Sequence, residues 1–104
     1  MTIKREVVEG TQKQGEDETI IYSITTTPWG GTPVSPSAVV KDTTASNRVV
    51  TSTVMPSGSA SVAGDIITLP ALKSLTAGHD YRVEVKWTYL GNVFECYFTV
   101  EAET

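Results

Sequence analysis

The chain contains one cysteine and one histidine among 104 residues. A single cysteine rules out an intrachain disulfide, so this is not a small fold stapled by bridges. One histidine and one cysteine also leave little material for a metal centre or a nucleophile–base pair. Uninterrupted apolar runs stop at two or three residues, which excludes a membrane-spanning helix. Basic residues are scarce, 8 Lys plus Arg against 12 Asp plus Glu, and the net charge is −4. A protein that grips nucleic acid through bulk charge needs the opposite balance. Leucine and alanine are also few, 4 and 7, which argues against a helical bundle.

The residues that are abundant favour strands. Thr (16), Val (13) and Ile (6) are stiff at χ1 and suit a pleated surface. With 39% hydrophobic and 19% charged residues, the composition is that of a globular chain, and its length fits one domain spanning residues 1–104. Met1 to Gly10 carries the basic pair Lys4–Arg5 with no apolar segment after it. The expectation is therefore a complete reading frame with no signal peptide, made in a reducing cytoplasm.

Alternation of polar and apolar residues marks the strands. Thr2–Val8 reads as an edge strand and Gly10–Gly15 as a polar turn. Thr19–Thr27 alternates, with Ile20, Tyr22 and Ile24 on one face. Pro28-Trp-Gly-Gly-Thr-Pro33 interrupts it, because proline removes a ladder donor and glycine permits positive φ. Strands are then expected at Ser37–Thr43, Arg48–Met55, Ser59–Val62 and Asp65–Leu69. Only Lys41, Asp42 and Arg48 are charged between residues 19 and 64.

The C-terminal third carries the clearest pattern. Tyr81, Val83, Val85, Trp87 and Tyr89 alternate with polar residues, as do Phe94, Cys96, Phe98 and Val100. Gly91-Asn92 between the two runs predicts a two-residue hairpin turn of type II′. That turn puts Leu90 opposite Val93, Tyr89 opposite Phe94, Trp87 opposite Cys96, Val85 opposite Phe98 and Val83 opposite Val100, with Arg82 facing Glu101. Just upstream, Leu75-x-x-Gly78-x-x-Tyr81-x-Val83 has the form of a tyrosine corner, in which a tyrosine at the start of the penultimate strand bonds back to upstream backbone. Together with about seven short strands at roughly ten-residue spacing, this predicts an all-β, immunoglobulin-like or fibronectin III-like sandwich of antiparallel strands.

Few residues suggest chemistry. Cys96 falls on the inward face, where a thiol behaves as an inert hydrophobe, and His79 falls in a turn. Glu16-Asp17-Glu18 lacks the alternation of a calcium loop and reads as a solvated run. Pro28, Trp29, Gly30 and Gly31 form a candidate partner-contact loop, since an exposed tryptophan is a good anchor. Trp29 folding back as a core end-cap is the alternative. Leu75, Gly78 and Tyr81 are candidate structural residues. No catalytic residue, metal ligand, cofactor or small-molecule substrate is expected, and no nucleic-acid or membrane partner.

Several stretches carry a family resemblance. They are Tyr22-x-Ile24, Thr27-Pro28-Trp29-Gly30-Gly31-Thr32-Pro33, Ser35-Pro36, Val39-Val40-x-Asp42 and Val54-Met55-Pro56-Ser57-Gly58-Ser59-Ala60-Ser61-Val62. Gly64-Asp65-x-Ile67-Thr68-Leu69-Pro70-x-Leu72, Leu75-Thr76-Ala77-Gly78-x-x-Tyr81-Arg82-Val83-Glu84-Val85 and Gly91-Asn92-x-Phe94-Glu95 complete the set. In these stretches the chain resembles small structural proteins of tailed phages and prophages, encoded among head, neck and tail genes. The resemblance implies an immunoglobulin-like fold and a place in the virion as a neck, tail-adaptor or decoration component. It further implies synthesis in a host bacterial cytoplasm and partners that are other virion proteins or copies of the chain itself. It carries over no functional residues. The competing expectation is a carbohydrate-binding or adhesion module, with Trp29, Tyr89 and Tyr97 as stacking platforms.

Overall fold

The computed structural model describes residues 4–6, 11–27, 31–56 and 59–104. Among them run β1 (Lys4–Glu6), β2 (Gln12–Gly15), β3 (Ser23–Thr25), β4 (Val34–Asp42), β5 (Arg48–Val49), α1 (Thr51–Val54), β6 (Ser61–Ala63), β7 (Ile66–Thr68), β8 (Asp80–Tyr89) and β9 (Asn92–Glu103). Among the described residues the fold is all-β apart from the short helix α1, as the β-branched composition predicts. The larger sheet has the order β1-β9-β8-β4-β5, with β2 also on β9, and the smaller has the order β3-β7-β6.

Alternation explains which side chains are buried. Tyr81, Val83, Val85 and Trp87 of β8 and Cys96, Phe98, Val100 and Ala102 of β9 point into the core. Ile24 and Ile67 of the smaller sheet, with Leu69, Leu72 and Leu75, belong to the same buried cluster. Each large apolar side chain so buried contributes about 1.5–3 kcal/mol relative to exposure. The opposite face of β4 and β8 carries Lys41–Glu84 and Arg82–Glu84 ion pairs at 3.4 and 3.0 Å.

The hairpin register differs from the sequence expectation. Trp87 pairs with Phe94, Val85 with Cys96, Val83 with Phe98 and Tyr81 with Val100. The turn is Leu90-Gly91, with φ of 49° and 78°, both positive as a type I′ turn requires. A leucine in this region costs about 1–2 kcal/mol. Cross-strand pairs offset that cost. The Trp87 and Phe94 rings stack with centroids 6.2 Å apart, and Lys86 lies directly opposite Glu95. Arg82 faces Thr99 rather than Glu101, and its guanidinium sits 3.7 Å from the Tyr97 ring centroid. The shift is two residues, so every side chain keeps the face that alternation predicts.

The chain departs from expectation elsewhere too, and the expected strand Thr19–Thr27 is reduced to Ser23–Thr25. Gly10–Gly15 is not a turn throughout: Gln12–Gly15 is a strand parallel to β9, with Gln12 opposite Val100. The described part of Thr2–Val8, Lys4–Glu6, also pairs with β9 in parallel, so the strands are not all antiparallel. The expected strand Arg48–Met55 stops at Val49. Val50 N–H still donates to Val40 O at 2.9 Å, but the chain then closes a helical turn through Val54 N–H to Val50 O at 3.0 Å and Met55 N–H to Thr51 O at 2.8 Å. That turn brings both Val54 and Met55 into the core, which an extended chain with its period of two cannot do for adjacent residues.

Candidate functional site

At the start of β8, Tyr81 is buried and its hydroxyl accepts the Thr76 N–H at 2.8 Å. Leu75 is buried beside it, and Gly78 holds φ 85°, a conformation that favours glycine. Leu75, Gly78 and Tyr81 thus tie the segment before β8 to the end of the larger sheet. His79 joins the same end: its Nδ1 lies 2.8 Å from Oδ2 of the buried Asp42, whose Oδ1 accepts the Ala45 N–H at 3.1 Å. Asp80 adds backbone links to the turn after β4, through Thr43 N–H to Asp80 O at 3.0 Å and Asp80 N–H to Thr44 Oγ1 at 2.9 Å. Every named polar atom here has an intramolecular partner, and the cluster acts as a clamp on two turns.

Cys96 is far from that clamp. It pairs with Val85, whereas Asp80 pairs with Glu101, five rows away, or about 17 Å along the strand. Burial pushes the Cys96 thiol up to about 12, so it is neutral and unreactive near neutral pH. In the acidic run, Glu18 Oε1 accepts the Gly15 N–H at 2.7 Å and Glu16 N–H donates to Glu103 O at 2.7 Å. These bonds close the turn after β2. Among the described residues no group of His, Cys, Asp and Glu is arranged to hold a metal ion.

Of the candidate contact loop, Pro28, Trp29 and Gly30 lie outside the described residues. Gly31 packs closely on β8: a methyl group there would sit 3.1 Å from the Tyr89 ring and hydroxyl. Gly31 therefore lies at the hairpin end of the larger sheet, where Leu90 and Val93 are exposed. Comparison with family models, with characterised proteins and with solved structures finds no match to this chain.

One surface was signalled in the sequence only by the near absence of charge between residues 19 and 64, which suggests strands with uncharged edges. β5 pairs only with Lys41 and Asp42, so among the described residues the rest of that edge of β4 is paired with no strand, although α1 and β6 lie against β4. Val34, Val39 and Val49 are exposed along this edge. Next to it lies a cavity of about 330 Å³ bounded by Pro36 and Ala38 of β4, Thr51 of α1, Met55, Ala60 and Pro70. The lining carries no charged side chain among the described residues. The sequence signal for it is indirect: it is the uncharged stretch between residues 19 and 40 and again between 49 and 64.

Proposed function

We propose that this chain is a non-enzymatic structural or assembly protein of a tailed-phage virion, a neck, tail-adaptor or decoration component that works through protein–protein contacts. The domain belongs to the immunoglobulin-like sandwiches in this reading. Three features support that fold. The strand order of the two sheets is compatible with such a sandwich, a tyrosine at the start of the penultimate strand bonds back to upstream backbone, and both sheets share one core.

The observation that carries the functional reading is the open edge of β4 with exposed Val34, Val39 and Val49 beside it. Natural sheets usually protect such edges with charge, proline or a covering element. Pro36 interrupts this edge, but no charged residue precedes Lys41 on it and its exposed valines are suited to association; the family resemblance supplies the virion as its setting. The rival reading, a carbohydrate-binding module, has less support, because Arg82 covers one face of Tyr97 and Tyr89 is half-buried near Gly31. Mass spectrometry of purified particles from a lysogen carrying the gene tests the proposal. The chain is expected in stoichiometric amounts. Its absence both from mature particles and from assembly intermediates overturns it.

A further inference from the structure

We infer that two copies of this chain pair through the outer face of the larger sheet, at its hairpin end, with Lys86 of each copy opposite Glu95 of the other. This deepens the assembly reading by naming one contact surface and its partner, and it rests on that reading only for its setting.

The outer face is apolar where a solvent face should be polar. Val34, Thr88 and Val93 share one row across β4, β8 and β9, and Val39 shares another with Glu84 and Tyr97. Val49 stands beside Lys41 on the same face. All four valines are exposed, and Leu90 stands at the end of the face in the turn between β8 and β9. Among the described residues the only other exposed large apolar side chains are Ile21 and Ile66. Apolar side chains gathered on one face mark an association surface, whereas scattered ones do not. Leu90 adds an independent sign. It is 80% exposed and holds φ 49°, where asparagine or glycine would sit without strain. Backbone strain of this kind points to a use for the side chain.

Charge selects the occupant. Lys86 and Glu95 lie directly opposite each other on β8 and β9. A two-fold axis parallel to the strands, set over the gap between β8 and β9, lays β8 of each copy on β9 of the other in the same row. The four charges then close a square of alternating sign, with no like charges directly opposed. The same axis gathers Leu90 and Val93 of both copies at the hairpin tips. Glu84 meets Tyr97 of the second copy, and its charge is already held by Lys41 and Arg82 at 3.4 and 3.0 Å. A contact that uses the same patch on both partners closes at two copies. At the far end of the face Asp80 and Glu101 share a row, so like charges oppose there and the two sheets splay apart.

The area sets the strength. Arg82 to Leu90 spans about 26 Å and four strands about 19 Å, so each copy covers roughly 500 Å². A total of about 1,000 Å² lies below the roughly 1,200 Å² at which standard interfaces begin, which makes the pair weak and reversible. Repetition within an assembly raises such a contact through effective concentration.

Sedimentation equilibrium of the whole chain tests this. Dimers are expected at about 0.1 mM and above, with ¹⁵N amide shifts on dilution centred on Thr88–Glu95 and Val34. Lys86→Glu or Glu95→Lys alone should weaken pairing roughly tenfold, and an equimolar mixture of the two variants should restore it as a heterodimer. Val93→Glu should abolish pairing, whereas Ile66→Glu on the smaller sheet should leave it unchanged. Leu90→Asn should weaken pairing roughly tenfold while stabilising the monomer, which separates lost pairing from lost folding. Circular dichroism checks each variant, and the dilution shifts of the unaltered chain decide the matter if one does not fold. A monomer up to about 1 mM, shifts confined to other surfaces, no recovery in the mixture, or equal loss with Ile66→Glu overturns the inference. Pairing is measured on the isolated chain, so absence from particles removes the virion reading and leaves this result standing.

Discussion

Gln14 is the residue whose replacement tests most about how the fold is held together. It is fully buried at 0% exposure although it sits on the short edge strand β2. Its Nε2 donates to Leu72 O at 2.7 Å and to Glu18 O at 3.0 Å, and its Oε1 accepts the Tyr22 hydroxyl at 2.9 Å. One amide therefore fastens β2 to the segment that follows the smaller sheet and to the residues leading into β3. The Tyr22 ring in turn lies against Phe98 of β9, with centroids 5.1 Å apart.

The magnitudes follow from what each partner keeps. A typical internal hydrogen bond contributes about 0.5–1.5 kcal/mol net. After loss of the amide, Leu72 O still accepts the Ile20 N–H at 3.0 Å, and the Tyr22 hydroxyl is only part-buried, so water can replace one bond. Gln14→Met, which preserves volume, should therefore cost about 1–2 kcal/mol. Gln14→Ala adds a void and should cost about 2–4 kcal/mol. Gln14→Glu points an ionised oxygen at the carbonyls of Leu72 and Glu18 and should cost more than Gln14→Met near neutral pH, with partial recovery on acidification. These are large fractions of the 5–15 kcal/mol typical of a domain. Urea unfolding followed by circular dichroism measures all three. A double-mutant cycle with Tyr22→Phe should return a coupling of about 1 kcal/mol. If Gln14→Met and Gln14→Glu both lie within about 0.5 kcal/mol of the parent chain, below the lower limit argued here, the amide does not dock β2 and the reasoning fails.

Two further outcomes are expected. Leu90 holds φ 49° and is 80% exposed, so Leu90→Asn should relieve backbone strain in the type I′ turn and raise stability by about 0.5–1 kcal/mol; a loss on thermal unfolding would place the turn elsewhere. Cys96 titrates near 9.0 when exposed and is pushed up to about 12 by burial. Below the lower value the thiol is neutral in both states; between the two the unfolded chain gives up the proton while the folded chain keeps it, so stability falls as pH rises through that window. The drop in urea midpoint between about pH 8 and about pH 10.5, on either side of the ordinary thiol range, should be smaller in Cys96→Ala than in the parent chain. An identical drop in both refutes the assignment.

How much of this was legible in the sequence depends on which physical effect set each feature. The faces of β8 and β9 were legible, because a residue on the wrong face would bury a charge or expose an aromatic ring. The row-by-row register was not. A slip of two residues conserves every face, and the choice was made by the Trp87–Phe94 and Lys86–Glu95 pairs acting against a leucine with positive φ. The strand β2 was hidden because Gln12, Lys13 and Gln14 read as polar loop, and nothing local reveals that Gln14 is buried against Leu72, 58 residues away, as well as Glu18 and Tyr22. The residues around Tyr81 were legible because the tyrosine and glycine stand at a fixed short spacing from the strand they begin.

The segment from Val50 to Met55 links these lessons to function. Its β-branched residues favour a strand locally, and Val50 still pairs like one with Val40. Two adjacent apolar residues, Val54 and Met55, can both reach the core only if the chain abandons the period of two, and burial of both outweighs the local preference. Leaving the sheet at that point places Thr51 and Met55, rather than a paired strand, beside Ala38 of β4, where all three line the uncharged cavity. The same burial that completes the core therefore ends strand pairing on that side of β4 at Val49, and Thr51 takes the Val40 N–H with its hydroxyl in place of a strand carbonyl.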